Sequence, residues 1–287
     1  MYEAAYHLNE RPFSISPDPR FLYLAPQHKE TLSKCTYMIT NRVGPVFITG
    51  PIGSGKTTVA RRLYGQFQDD PERAVAMLIA PNLKTANAFL RTIMREFEVK
   101  TARSYDQSLA NLSEFLQSQA SHGVSPILLI DEAQNLPTDV LRLIHFLLNY
   151  ETNSQKLLQI ALFGQTELAL KIERFPELKS RMFPSALASL TREDVGAMIQ
   201  YRWHVAGGER HPFIEDALEE IFKYSLGMPR EICKLCDLAL LKAFCEGRQE
   251  VAADTVSSAA EELRIGPEPD QAMAKSAHGK CKKGGIE

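Results

Sequence analysis

Residues 46–58 read VFITGPIGSGKTT, and within them Gly50, Gly55, Lys56 and Thr57 complete the spacing G-x-x-x-x-G-K-[ST]. A β-branched, apolar run precedes the loop and a helix-compatible segment, VARRLYGQF, follows it. Gly50, Gly53 and Gly55 permit turns that are closed to residues with side chains. The whole loop (Gly50, Pro51, Ile52, Gly53, Ser54, Gly55, Lys56, Thr57 and Thr58) is therefore expected to curl its exposed N–H groups around phosphate oxygens at a helix N-terminus. Lys56 is expected to set its ammonium on the β- and γ-phosphates, and Thr57 to offer its hydroxyl to Mg²⁺. The alternative is an ordinary Gly-rich strand-to-helix turn. The complete pattern in its strand–loop–helix setting favours a nucleoside triphosphate site.

A second signal is ILLIDEAQN at 127–135, an apolar strand that ends in two acids. Asp131 is expected to hold Mg²⁺, mainly through its water shell, and Glu132 to orient and polarise the water that attacks the γ-phosphate. Acidic pairs at strand ends also cap helices. Behind a complete phosphate loop, with one strand between, this pair favours hydrolysis over binding alone. No acceptor-substrate motif supports a kinase. Three further polar residues stand where a γ-phosphate sensor would be placed. Gln165 ends a strand in ALFGQTEL, at the carboxyl edge where such sites collect, though a solvated helix cap would look the same. Arg230 in LGMPRE could reach the phosphates, and Arg181 in LKSRMF could act on a neighbouring subunit's nucleotide as an arginine finger. An isolated arginine is more often a surface charge.

These residues need a frame. Four strand-length apolar runs, at 44–50, 74–80, 125–131 and 156–164, do not alternate with polar residues and so predict strands buried on both faces of a parallel sheet. A weaker fifth strand is expected at 185–190. Helical spacing lies between the runs: Phe89, Leu90, Ile93, Met94 and Phe97; Leu109, Leu112, Phe115 and Leu116; Val140, Leu141, Ile144 and Leu147. Alternating strands and helices predict a doubly wound α/β core. After Thr191 the period is helical throughout, over 191–206, 214–226, 229–246 and 254–264, and Thr191 with Asp194 forms a capping box. The expected organisation is an N-terminal segment over 1–40, an α/β core over 41–190, a small helical domain over 191–264 and a disordered tail over 265–287.

Composition is that of a soluble globular chain: 287 residues, 44% apolar, 24% charged and a net charge of −2. That charge neither announces nor excludes a nucleic-acid contact, since a local basic patch acts inside a neutral protein. Five cysteines without regular spacing suggest reduced thiols and a cytoplasmic protein. Cys233 and Cys236 lie in a helical segment with no second ligand pair, so packing explains them better than metal. The N-terminus lacks a signal-peptide pattern, and no apolar run reaches the roughly 18 residues of a membrane span.

Five segments together resemble the AAA+ ATPases of the ExeA general-secretion type and their TnsC and TniB relatives in transposition. They are RPFSISPDPRFLYL at 11–24, GPIGSGKTT, ILLIDEAQNLP, LLNYETNSQKLLQIALFGQTEL at 147–168 and SLGMPREICKLCDLALLKAF at 225–244. The resemblance spans about residues 8–264. It implies a five-stranded parallel AAA+ P-loop core flanked by helices, followed by an all-helical lid, with ATP and Mg²⁺ bound. It also implies a homo-oligomeric ring or helical filament with each nucleotide between subunits. Gln165 becomes sensor one, Arg230 sensor two and Arg181 the finger, and the segment Asp18–Tyr23 is placed near the adenine. The family usually carries Gln-Arg-Ile or Gln-Arg-Phe where this chain has Ser180-Arg181-Met182, so Arg174 stands as a rival finger.

The family divides by use. Secretion members normally continue into a transmembrane helix and a peptidoglycan-binding domain, whereas TnsC-type regulators and shorter pilus-assembly relatives stop after the lid. TnsC-type regulators grip duplex DNA through loops that match PNLKT and EVKTARSY here. Lys84, Lys100, Thr101 and Arg103 are accordingly the expected phosphate contacts, with a solvated loop as the alternative. The favoured expectation is a transposition regulator that assembles on double-stranded DNA and recruits a transposase and a target selector. The other is a secretion or pilus-assembly ATPase that acts on protein partners without nucleic acid.

Overall fold

Strands without polar alternation must be covered on both faces, and the chain does this with a five-stranded, wholly parallel sheet. In the computed structural model, which describes residues 1–266 apart from 17, 80, 82, 153 and 154, the strands are β1 Val46–Thr49, β2 Arg73–Leu78, β3 Ser125–Ile130, β4 Gln159–Gly164 and β5 Phe183–Ala186. Their spatial order is β2-β3-β4-β1-β5. The helices, in chain order, are α1 Tyr2–Ala5, α2 Pro26–Thr40, α3 Lys56–Phe67, α4 Ala86–Glu96, α5 Tyr105–Ser121, α6 Thr138–Leu147, α7 Thr166–Glu173, α8 Pro176–Lys179, α9 Arg192–Val205, α10 Glu215–Ser225, α11 Pro229–Cys245 and α12 Ala253–Leu263.

The chain divides into two compact units, Pro17–Ala188 and Met1–Ser16 with the chain from Ser189 onward. In the first, successive residues of the central strands feed opposite cores. Leu128, Ile130, Ile160 and Leu162 pack with Phe89, Ile93, Leu112, Leu116 and Ile144, while Ile127, Leu129, Ala161 and Phe163 pack with Ile39, Val59, Leu63 and Phe67. That two-sided burial is why the strands read as unbroken apolar runs. Side chains at the helix starts fix where α4 and α5 begin: Thr85 accepts from the Ala88 N–H and Ser104 from the Gln107 N–H, both at 3.2 Å.

The helical unit is α9 to α12 joined by α1. Thr191 caps α9 by accepting the Asp194 N–H at 3.2 Å, one half of the capping box expected there, and its hydroxyl donates to Asp194 Oδ2 at 3.0 Å. Met1–Ser16 is held to this unit by the Tyr2 hydroxyl on Asp237 and by the Arg202 guanidinium, which donates to the Pro12 and Ser14 carbonyls at 2.8 Å each. Cys233 and Cys236 are buried among apolar residues, and burial pushes both thiols up. No helix among the described residues is long and apolar enough to cross a membrane.

Two expectations are corrected. Residues 1–40 are not one segment, because 1–16 join the helical unit while α2 joins the α/β unit. The fifth strand is Phe183–Ala186, not 185–190. It pairs with β1 alone, is largely exposed and contains Pro184. An edge strand tolerates a proline and needs no apolar run, so it carries little periodic signal. The disordered tail expected over 265–287 lies, from 267 onward, outside the described residues.

Candidate nucleotide-binding and hydrolysis site

The site is built at the carboxyl edge of the sheet. Thr49, the last residue of β1, stands in register between Gly164 of β4 and Ala186 of β5. The loop that follows needs its glycines. A Cβ on Gly50 would lie 2.5 Å from the Leu187 carbonyl oxygen and 2.9 Å from Ser54 Oγ. Gly53 and Gly55 have φ of 85° and 96°, in the left-handed region that favours glycine. Gly55 then starts α3, whose first intrahelical bond runs from the Val59 N–H to Gly55 O at 3.0 Å. The amides of Lys56, Thr57 and Thr58 precede that bond and point out of the helix end. This backbone cradle fits a polyphosphate. Lys56 is 6% exposed and donates to the Gly50 and Pro51 carbonyls at 2.9 and 2.8 Å, so its ammonium already sits at the mouth of the loop. Pro51 and Ile52 are exposed at the tip, and Ser54 is buried.

The acidic pair meets the loop from β3. The Thr57 hydroxyl donates to Asp131 Oδ2 at 2.7 Å, which brings together the two groups expected at Mg²⁺. Burial of Asp131, only 1% exposed, raises its carboxyl above the usual range and outweighs the bonds from Thr57 and the Glu132 N–H. A divalent cation here would offset that desolvation, so this donor set fits one. Glu132 has φ 54° and ψ 35°, costly for a residue with a side chain, on the order of 1–3 kcal/mol. The strained turn lets Asp131 stay buried while Glu132 emerges.

Gln165 lies at the N-terminal boundary of α7 directly after β4, and its side chain makes no cap hydrogen bond, unlike Thr85, Ser104 and Thr191. Arg181 donates to Asn149 Oδ1 at 2.5 Å. Arg174 is exposed and has no side-chain partner among the described residues. Arg230 is exposed in the first turn of α11 in the helical unit. In the segment Asp18–Tyr23, Asp18 caps a single 3₁₀ turn, Pro19–Phe21, that packs on α3. Lys84, Lys100, Thr101 and Arg103 are all exposed. Lys100 and Thr101 also line an open groove of about 550 Å³ with Arg91 and Arg95 of α4.

Sequence reasoning passed over several of these neighbours. Arg91 and Arg95 stand four apart on the exposed face of α4, a spacing that was readable. Buried His28 of α2 sits beneath the phosphate loop, with Nε2 3.0 Å from Ser54 O. A carbonyl only accepts, so His28 carries its proton on Nε2. Gln134, in the 3₁₀ turn Ala133–Asn135 after Glu132, is buried against the acidic pair. Neither His28 nor Gln134 has a local signal.

Comparison with known proteins agrees with this geometry. Residues 40–172 match the family model described as an AAA domain. General secretion pathway protein A of Aeromonas hydrophila is 35% identical over 268 residues, 92% of this chain and 48% of that protein, so the chain spans about half the length of this curated relative. Solved structures with the same fold include Cdc6p of Pyrobaculum aerophilum, at 19% identity and TM-score 0.69 over 88% of this chain and 70% of that one. Another is the ORC2 protein of Aeropyrum pernix in its ADPNP-ADP complexes, at 17% identity and TM-score 0.67 over 92% and 74%. Drosophila ORC bound to DNA has 19% identity and TM-score 0.68 over 95% and 67%. The parallel sheet, the phosphate loop with its facing acids and the family match agree on residues 40–172, which are similar to an AAA domain and carry a P-loop α/β fold.

Proposed function

We propose that the chain binds Mg·ATP on the loop Gly50–Thr58, hydrolyses it with Glu132 as the water-activating base, and uses the cycle to assemble with copies of itself and act on protein partners. The observation that carries the hydrolytic part is the meeting of Thr57 and Asp131 beside Glu132 at the mouth of the phosphate loop. Mg²⁺, when bound, neutralises the charge that develops on the β- and γ-phosphates. Lys56 and the loop amides orient the phosphates, Asp131 and Thr57 hold the metal, and Glu132 takes the proton of the attacking water. Gln165 and Arg230 sense the γ-phosphate. The cytoplasm suits the buried free thiols. A general-secretion role, rather than the transposition role expected from sequence, is supported by the 35% identity across 92% of the chain.

In the proposed ring or filament an arginine from one subunit completes its neighbour's site. Among the described residues Arg174 has no side-chain partner, and Arg181 must first release Asn149. Each single alanine variant should still bind ATP. The variant that removes the finger should lose hydrolysis by about 10³-fold or more and regain part of it when mixed with Lys56→Ala subunits. Activity that survives both substitutions would remove the finger from these positions.

A second function is favoured by one observation: Lys84, Lys100, Thr101 and Arg103 are exposed, and Lys100 and Thr101 line a groove with Arg91, Arg95 and Glu98. On that reading the assembly forms on double-stranded DNA and addresses a transposase and a target selector. The two are separated by titrating fluorescent duplex DNA with a slowly hydrolysed ATP analogue, with ADP and without nucleotide, across a salt series. The secretion role predicts no binding at low salt by protein that binds ATP. Tight, ATP-dependent, salt-sensitive binding would establish the DNA role instead, with a salt slope that is shallower by about 1 in Lys100→Ala and again in Arg103→Ala.

A further inference from the structure

We infer that Gln134 is a positioning residue that clamps the Glu132 carboxylate and ties it to the sensor end of β4. Its Nε2 donates to Glu132 Oε2 at 2.6 Å, and its Oε1 accepts the Gln165 backbone N–H at 3.0 Å. The amide can face only one way. A backbone N–H donates and cannot accept, so Oε1 must face Gln165, and Nε2 is thereby turned to the carboxylate. Gln134 is 8% exposed, and its backbone is fixed in turn, because Lys171 of α7 donates to the carbonyls of Gln134 and of Leu136, the latter at 3.1 Å. The absence of a side chain at Gly164 makes room for the clamp. A Cβ there would lie 2.9 Å from Gln134 Oε1 and 2.8 Å from Leu168 Cδ2.

The consequence is mechanical and chemical. With Oε2 held, Oε1 of Glu132 is left to receive the proton of the attacking water, and the flexible acid is confined to one direction. The same amide spans β3 and β4, so a shift of Gln165 on contact with a γ-phosphate is transmitted to the base through one side chain. This role rests on Glu132 being the base proposed above.

The test is steady-state ATP hydrolysis by the full chain, with ATP affinity measured on the same preparations. Gln134→Met keeps the volume and removes both bonds. ATP affinity and KM should hold within about twofold while kcat falls on the order of 10–100-fold, the scale of a misplaced reacting group. Gly164→Ala should reproduce part of that fall from the opposite side of the contact. Gln134→Glu sets a second carboxylate against Glu132. It keeps an acceptor for the Gln165 N–H but cannot donate to Glu132, so kcat should fall as in Gln134→Met with ATP affinity again held. If Glu132→Gln is inactive but all three variants turn over like wild type, the clamp is overturned while the base stands. A fall in kcat matched by an equal loss of ATP affinity in Gln134→Met and Gln134→Glu overturns it in favour of a purely structural residue. Hydrolysis by Glu132→Gln at the wild-type rate removes the base and the clamp with it. Should Gln134→Met not fold, Gln134→Glu and Gly164→Ala carry the test.

Discussion

Lys56→Ala is expected to weaken ATP binding by about 10²–10³-fold, the loss of one largely buried, charge-assisted interaction worth about 3–4 kcal/mol. The ammonium is held at the loop's mouth by the Gly50 and Pro51 carbonyls, so it moves only a short way to reach a phosphate oxygen and pays little entropy to do so. Removing it frees the Gly50 and Pro51 carbonyls but leaves the left-handed turns at Gly53 and Gly55 and the amides at the start of α3. Titration with a fluorescent ATP analogue checks this, and melting curves separate lost affinity from lost fold. Assembly that depends on ATP should vanish with the affinity. Wild-type affinity in a folded variant would mean that the phosphates lie elsewhere.

Glu132→Gln separates binding from chemistry. The amide cannot accept a proton from water, so turnover should fall about 10²–10⁴-fold, the usual contribution of a positioned general base. ATP affinity should be unchanged, because Lys56, Thr57 and Asp131 keep their geometry. ATP should stay bound, and the assembly proposed above should persist longer in light scattering than it does for the wild-type protein. Loss of affinity along with turnover would show that Glu132 supports the site rather than the reaction.

What was legible in the sequence is what is local. The phosphate loop could be read because its function is backbone geometry set by Gly50, Gly53 and Gly55 within six consecutive positions. The central strands could be read because burial on both faces leaves no polar alternation, and α9 because Thr191 and Asp194 lie within one turn. Contacts closed by distant registers could not be read. Gln134 meets the Gln165 N–H only because β3 and β4 are neighbours. His28 reaches Ser54 only because α2 packs on the loop's face of the sheet. The attachment of residues 1–16 to the helical unit depends on Arg202 donating to Pro12 and Ser14, far apart in the chain and unmarked by any pattern. β5 was misplaced for the opposite reason, since an exposed edge strand with a proline has little pattern to read.

The central claim is that this chain turns over ATP through Glu132. The most direct measurement is phosphate release in a single turnover, with wild-type and Glu132→Gln protein saturated with Mg·ATP at equal occupancy. A wild-type burst that is at least about 10²-fold slower in the variant, at unchanged ATP occupancy, is the predicted result. Equal rates in the two proteins, or no release by ATP-saturated wild type, would contradict it.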